Sequence, residues 1–115
     1  MTVYKVLENQ IKNNLVKSLN SYKEIVHAFR LENSQGGGYP DIFVHTKENI
    51  FGFEIKTGHQ KPSARQGFFA KNCDKCYLLY FRKKYPAFHG ETKKIVCVLT
   101  EEEAIKKILE IVNVN

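Results

Sequence analysis

The chain has 115 residues and a formal net charge of +6, with 43% apolar and 26% charged side chains, an ordinary composition for one globular domain with a modest core of its own. No apolar run approaches the roughly 20 residues a membrane span needs, and the N-terminus turns polar within a few residues, so a soluble cytoplasmic protein without leader or anchor is expected. Three cysteines argue against a secreted disulfide framework. Residues 3–19 have helical periodicity: Val3, Leu7, Ile11, Leu15 and Leu19 form one apolar stripe with Tyr4 on its edge. Glu8 projects into that stripe, where a carboxylate either snorkels outwards from the rim or is held by a partner, because buried acids are rare unless paired or bound to metal. Asn20 and Ser21 end the helix. Residues 22–32, with Ile25, Val26, Ala28, Phe29 and Leu31, read as a strand. Gly36, Gly37 and Gly38 follow in a loop whose backbone could approach a phosphate or simply connect. Tyr39-Pro40 then keeps the chain extended into Asp41.

Residues 41–55 carry two apolar runs separated by Thr46-Lys47-Glu48-Asn49, the pattern of a β-hairpin. Alternation puts Ile42 and Val44 on one face of the first strand, and Phe51, Phe53 and Ile55 on one face of the second. Opposed residues share a face, so the two apolar sets coincide only in certain registers. A four-residue loop at 46–49 pairs Ile42 with Phe53 and Val44 with Phe51. It also sets Asp41 opposite Glu54, with Lys56 on the same side. A three-residue loop would mix polar and apolar residues on both faces. Like charges directly across a ladder are destabilising, so this pair calls for a cation between its members.

After a turn at 57–61, Pro62 and Ser63 suit a first helical turn, and a helix is expected to about Cys73. It would carry Arg65, Gln66 and Lys71, with Phe68 and Phe69 read as core aromatics. Residues 76–81 read as a buried strand, Arg82-Lys83-Lys84-Tyr85-Pro86 as a basic loop, and 95–99 as a short strand. Thr100 caps a last helix with Glu101, Glu102 and Glu103 in its first turn. The expected fold is α/β in the order α-β-β-β-α-β-β-α: a central mixed sheet flanked by helices, one domain over 1–115. Cys73-x-x-Cys76 could be redox-active or half a zinc site. No second pair exists and only Cys97 and His89 could complete it, so the cysteines are read as structural thiols.

The charge is unevenly placed. Residues 1–55 carry six basic and six acidic side chains, whereas 56–94 carry ten basic and two acidic, and 95–115 two basic and four acidic. The whole excess follows Lys56, as expected of a segment leading a polyanion to the hairpin. Two carboxylates and a lysine there suit metal-assisted phosphodiester hydrolysis, since Mg²⁺ prefers hard oxygen ligands that leave room for water and substrate. A neighbouring lysine can orient the water or stabilise charge on the phosphorane-like transition state.

Pro40-Asp41 followed by Glu54-Ile55-Lys56 resembles the PD-(D/E)XK nuclease superfamily. The glycine-rich lead-in, Glu-x-Lys-Thr at 54–57 and Ser63-x-x-Gln66 are similar to its small VRR-NUC branch, and the upstream helix with Glu8 resembles archaeal Holliday-junction resolvases. The resemblance covers residues 3–81. It implies a restriction-endonuclease-like core in which Asp41, Glu54 and the Ile55 backbone carbonyl are metal ligands with Glu8 as an auxiliary one. It also implies a catalytic Lys56 and a Gln66 that supports the site. The expected activity is that of a Mg²⁺-dependent DNA endonuclease, Mn²⁺ substituting, which cuts branched DNA as a homodimer. Lys61, Arg65, Lys71, Arg82, Lys83 and Lys84 are the expected DNA contacts. The alternatives are a nicking, flap or restriction-like nuclease on duplex DNA, a nucleic-acid-binding module with inert carboxylates, and a Cys/His zinc-binding interaction protein.

Overall fold

In the computed structural model, residues 3–31, 40–57, 74–82 and 95–114 are described. Helix α1 spans Val3–Leu19, and strands β1 (Ile25–Arg30), β2 (Ile42–Thr46), β3 (Ile50–Thr57), β4 (Cys76–Phe81) and β5 (Ile95–Val98) precede helix α2 (Glu101–Val114). The order of the described elements agrees with expectation. The helix expected over 62–73 lies outside the described residues, as do Lys61, Arg65, Gln66, Lys71, Lys83, Lys84 and the Gly36–Gly38 run.

The five strands form one sheet in chain order, β1-β2-β3-β4-β5. β1, β2 and β3 are antiparallel neighbours, while β4 and β5 continue the sheet in parallel. The sheet is therefore mixed. β3 and β4 read as near-continuous apolar runs, and most of their residues are buried, the composition expected of central strands covered on both faces.

One face of the sheet carries Ile42, Val44, Phe51, Phe53, Ile55 and Leu79. With Ile11, Leu15 and Leu19 of α1 and Ala104, Ile105, Ile108 and Val112 of α2 they form a single core. Leu15 is fully buried, so truncating it to Ala would cost about 2–5 kcal/mol. On the opposite face Leu78 and Tyr80 pack with Ile95 and Cys97. At the start of α2, the Glu103 amide donates to Thr100 Oγ1 at 3.0 Å while its carboxylate accepts from the Leu99 amide at 3.3 Å. This is the expected cap, closed in the manner of a capping box.

Three readings are corrected. Leu7 was placed in the buried stripe of α1 but is 44% exposed, and Glu8 and Lys12 take its place. Leu99 falls after β5 and is exposed. Cys76 is disulfide-bonded, to a partner outside the described residues, whereas Cys97 is a thiol.

Candidate active site

The hairpin adopts the register selected by its apolar pattern: Ile42 pairs with Phe53, Phe43 with Gly52, Val44 with Phe51 and His45 with Ile50. The Thr46 amide donates to the Asn49 carbonyl at 2.8 Å, and Thr46 Oγ1 accepts from the Asn49 amide at 3.3 Å. These bonds close the four-residue loop. Carried one pair further, the register sets Asp41 against Glu54, close enough for the Asp41 carboxyl to act on that of Glu54. Asp41 Oδ2 also accepts from the Ile55 amide at 3.1 Å. The Ile55 amide thus holds Asp41 from the neighbouring strand.

Pro40 sets where Asp41 begins. It is buried against Gly52, and a Cβ at Gly52 would lie 2.5 Å from Pro40 Cγ and 2.9 Å from Pro40 Cβ. Only glycine leaves room for the proline ring to settle on the sheet there.

Helix α1 supplies the other wall. Glu8 and Lys12 stand one turn apart on the same face, and both are buried. Lys12 Nζ lies 3.1 Å from Asp41 Oδ2. Glu8 lies near the Thr57 backbone at the end of β3. Arg30 of β1 fixes the helix by donating to Asn13 Oδ1 at 2.8 Å and Asn9 Oδ1 at 3.1 Å. Glu8 is buried beside Lys12 instead of snorkelling outwards. Lys56 of β3 is half-buried and stands beside Tyr80 in the parallel β3–β4 register.

These neighbours determine the protonation of the carboxyls. Burial, then the hydrogen bond to Asp41 and the Asp41 charge, push Glu54 up to about 9, against the opposing pull of Lys56 and Lys12. At neutral pH Glu54 therefore keeps its proton. Burial also raises Glu8, with Lys12 and Lys56 working in the other direction.

Among the described residues, no three His, Cys, Asp or Glu side chains stand close enough to hold an ion together. Glu8 thus flanks the Asp41–Glu54 pair instead of completing a three-acid cluster. The donor set still fits a hard divalent cation: two adjacent, largely desolvated carboxyls with a third nearby, retaining a proton where a cation would relieve their repulsion.

Three contributors were missed in the sequence reading. Lys12 had a signal, the Glu-x-x-x-Lys spacing from Glu8. Gly52 lies in a strand pattern that reads as ordinary, and Thr57, read as the start of a turn, closes β3. Tyr80 read as a buried strand residue, yet its hydroxyl and that of Thr57 are buried without a hydrogen-bond partner among the described residues. Arg82 is half-buried just past β4. The groove between α1 and α2, about 720 Å³ and lined by residues including Leu15, Tyr22, Glu101, Glu102 and Glu103, contains none of the predicted site residues and has the wrong charge for a polyanion. Among the described residues no helix is long and apolar enough to cross a membrane. Comparison of the chain with protein-family models, with curated proteins and with solved structures finds no match.

Proposed function

We propose that this chain is a divalent-cation-dependent endodeoxyribonuclease of the PD-(D/E)XK type, hydrolysing DNA phosphodiester bonds at the Asp41–Glu54 pair. The observation that carries the reading is the juxtaposition of these two carboxyls at the end of the β2–β3 ladder, Glu54 buried and Asp41 half-buried, with Lys12 paired to Asp41 and Lys56 acting on Glu54. A sheet built for stability alone gains nothing from opposed acids. Asp41 and Glu54 would hold Mg²⁺, or Mn²⁺ in its place, with Glu8 as a flanking carboxylate and the Ile55 carbonyl as a further oxygen. The bound ion would supply Lewis-acid polarisation of the phosphate and a water of lowered pKa.

The remaining chemistry belongs to the side chains. Lys56 is positioned to orient the attacking water and to stabilise negative charge that builds on the phosphate oxygens as the P–O bond to the leaving group breaks. The surplus of basic residues over 56–94, of which Arg82 and Lys75 are among the described members, gives the DNA backbone a favourable approach. Lys61, Arg65, Lys71, Lys83 and Lys84 belong to the same proposed contact set, and Gln66 to the catalytic one. A homodimer would place two such sites for paired cuts in branched DNA.

A second reading, a nucleic-acid-binding module without catalysis, draws on the Lys12–Asp41 ion pair, which satisfies one carboxylate without any added ion. One assay separates the two. Supercoiled plasmid and four-way junctions are incubated with Mg²⁺, Mn²⁺ or EDTA, beside Asp41→Ala. Cation-dependent nicking lost in the variant supports the nuclease. DNA binding without nicking under every condition supports the module, and junction cutting against linear duplex cutting distinguishes structure-selective from restriction-like action.

A further inference from the structure

Lys12 is the one described cation held directly against the carboxyl pair by an ion pair: its Nζ lies 3.1 Å from Asp41 Oδ2, with only 11% of its side chain exposed. It sits one helical turn from Glu8 and acts electrostatically on Glu8 and Glu54 as well as Asp41. The same Oδ2 is already bonded by the Ile55 amide. A buried ammonium is costly to desolvate, and no hydrogen bond of the sheet requires one at this position.

We infer that Lys12 is a positioning residue that stands in for the divalent ion: it holds Asp41 in place while the site is metal-free and competes with the ion for Asp41 Oδ2. This rests on the reading of Asp41 and Glu54 as the ion's carboxylates. In the absence of metal, the ammonium offsets the repulsion between Glu8 and Asp41. When an ion binds, Lys12 becomes a second positive charge next to it, and the two repel one another.

The consequence is opposite in sign for the two states. Lys12→Met removes the charge but keeps most of the aliphatic stem. The metal-free protein should lose stability, while Mn²⁺ should bind more tightly, on the order of tenfold, because a unit charge within a few ångströms of a divalent ion no longer opposes it. General damage to the fold would not tighten a ligand.

The test measures Mn²⁺ binding by calorimetry and the melting temperature in EDTA and in Mn²⁺. It uses the full chain as wild type, Lys12→Met, Lys12→Arg and Lys17→Met, the last at an exposed lysine on the same helix. The expected result is a lower Tm in EDTA, a larger Mn²⁺-induced rise and a smaller Kd for Lys12→Met, with Lys12→Arg and Lys17→Met close to wild type. An unchanged or weaker Mn²⁺ affinity in Lys12→Met overturns the inference. If Lys12→Met does not fold in EDTA, recovery of its fold by Mn²⁺ supports the stand-in role, and no recovery overturns it. A wild-type protein that binds no Mn²⁺ and shows no Mn²⁺-induced Tm change would instead remove the metal reading itself.

Discussion

Raising the pH in EDTA should destabilise this protein, and Glu54 should account for the loss. In the folded state burial and Asp41 lift its carboxyl from the ordinary 4.5 to about 9. Between those values the folded state keeps a proton that the unfolded chain releases. Stability conferred by the retained proton is therefore fully present below about pH 4.5 and declines as pH climbs towards 9. At 1.36 kcal/mol per pH unit the whole window is worth at most roughly 6 kcal/mol. Because Glu54 titrates together with Asp41, about half of that is a reasonable expectation. Set against a stability of about 5–15 kcal/mol for a domain of this kind, it is a large effect. Burial shifts Glu8 in the same direction, so it reinforces the trend. The assay is urea unfolding in EDTA at pH 5, 7 and 9 for wild type and Glu54→Gln, whose amide can still donate to Asp41 but does not titrate. Wild type should lose roughly 3 kcal/mol relative to the variant between pH 5 and 9, since the histidines, thiols and other carboxyls cancel in the difference. Saturating Mn²⁺ should flatten or reverse the wild-type slope, because the ion competes with the proton. Parallel pH curves for the two proteins, or a wild type that gains on the variant as pH rises, would refute the retained proton.

Two further substitutions probe how the site is built. Gly52→Ala would drive a methyl group to within 2.5 Å of Pro40, and relief by backbone movement should cost about 1–3 kcal/mol in urea unfolding; because Pro40 leads into Asp41, plasmid nicking should fall with it, and wild-type stability would show that the ring can move aside freely. Lys56→Ala should abolish cutting while DNA affinity in a gel-shift titration stays within about twofold, the signature of a group acting on the water and the transition state; an equal loss of both would make Lys56 part of the binding surface.

The hairpin was legible because its two constraints agree. Apolar residues at 42, 44, 51, 53 and 55 permit few registers, and the loop length selects the one observed, so Asp41 and Glu54 were brought together before any coordinates. β4 was legible as a continuous apolar run, and α2 as a cap followed by acids. Helix α1 was only half legible. Its C-terminal half packs Ile11, Leu15 and Leu19 on the apolar sheet as the projection requires. The N-terminal half passes over the polar end of the hairpin, so the inward positions change from leucine to Glu8 and Lys12, and Leu7 turns out. A helical projection assumes one kind of surface beneath the whole helix, and here there are two. Thr57 was read as the start of a turn because a polar residue before Gly58 ends the apolar run, whereas it closes β3.

The formal charges of the assembled site explain why such an arrangement can persist. Glu8 and Asp41 balance Lys12 and Lys56, and Glu54 is neutral while it keeps its proton, so the metal-free site carries no net charge. That neutrality makes burial tolerable, since an unbalanced charge in the same place would cost several kcal/mol. Under the proposed function, exchange of the proton for a divalent ion would change the sum to +1, equal and opposite to one phosphodiester. The lysines would then serve both states: without them the metal-free acids would repel, and with an ion bound they would leave a surplus positive charge for a phosphate to neutralise. Two opposed acids alone would bind an ion but offer the phosphate no net attraction, and the pairing of Glu8 with Lys12 on α1 matters as much to the site as the hairpin itself.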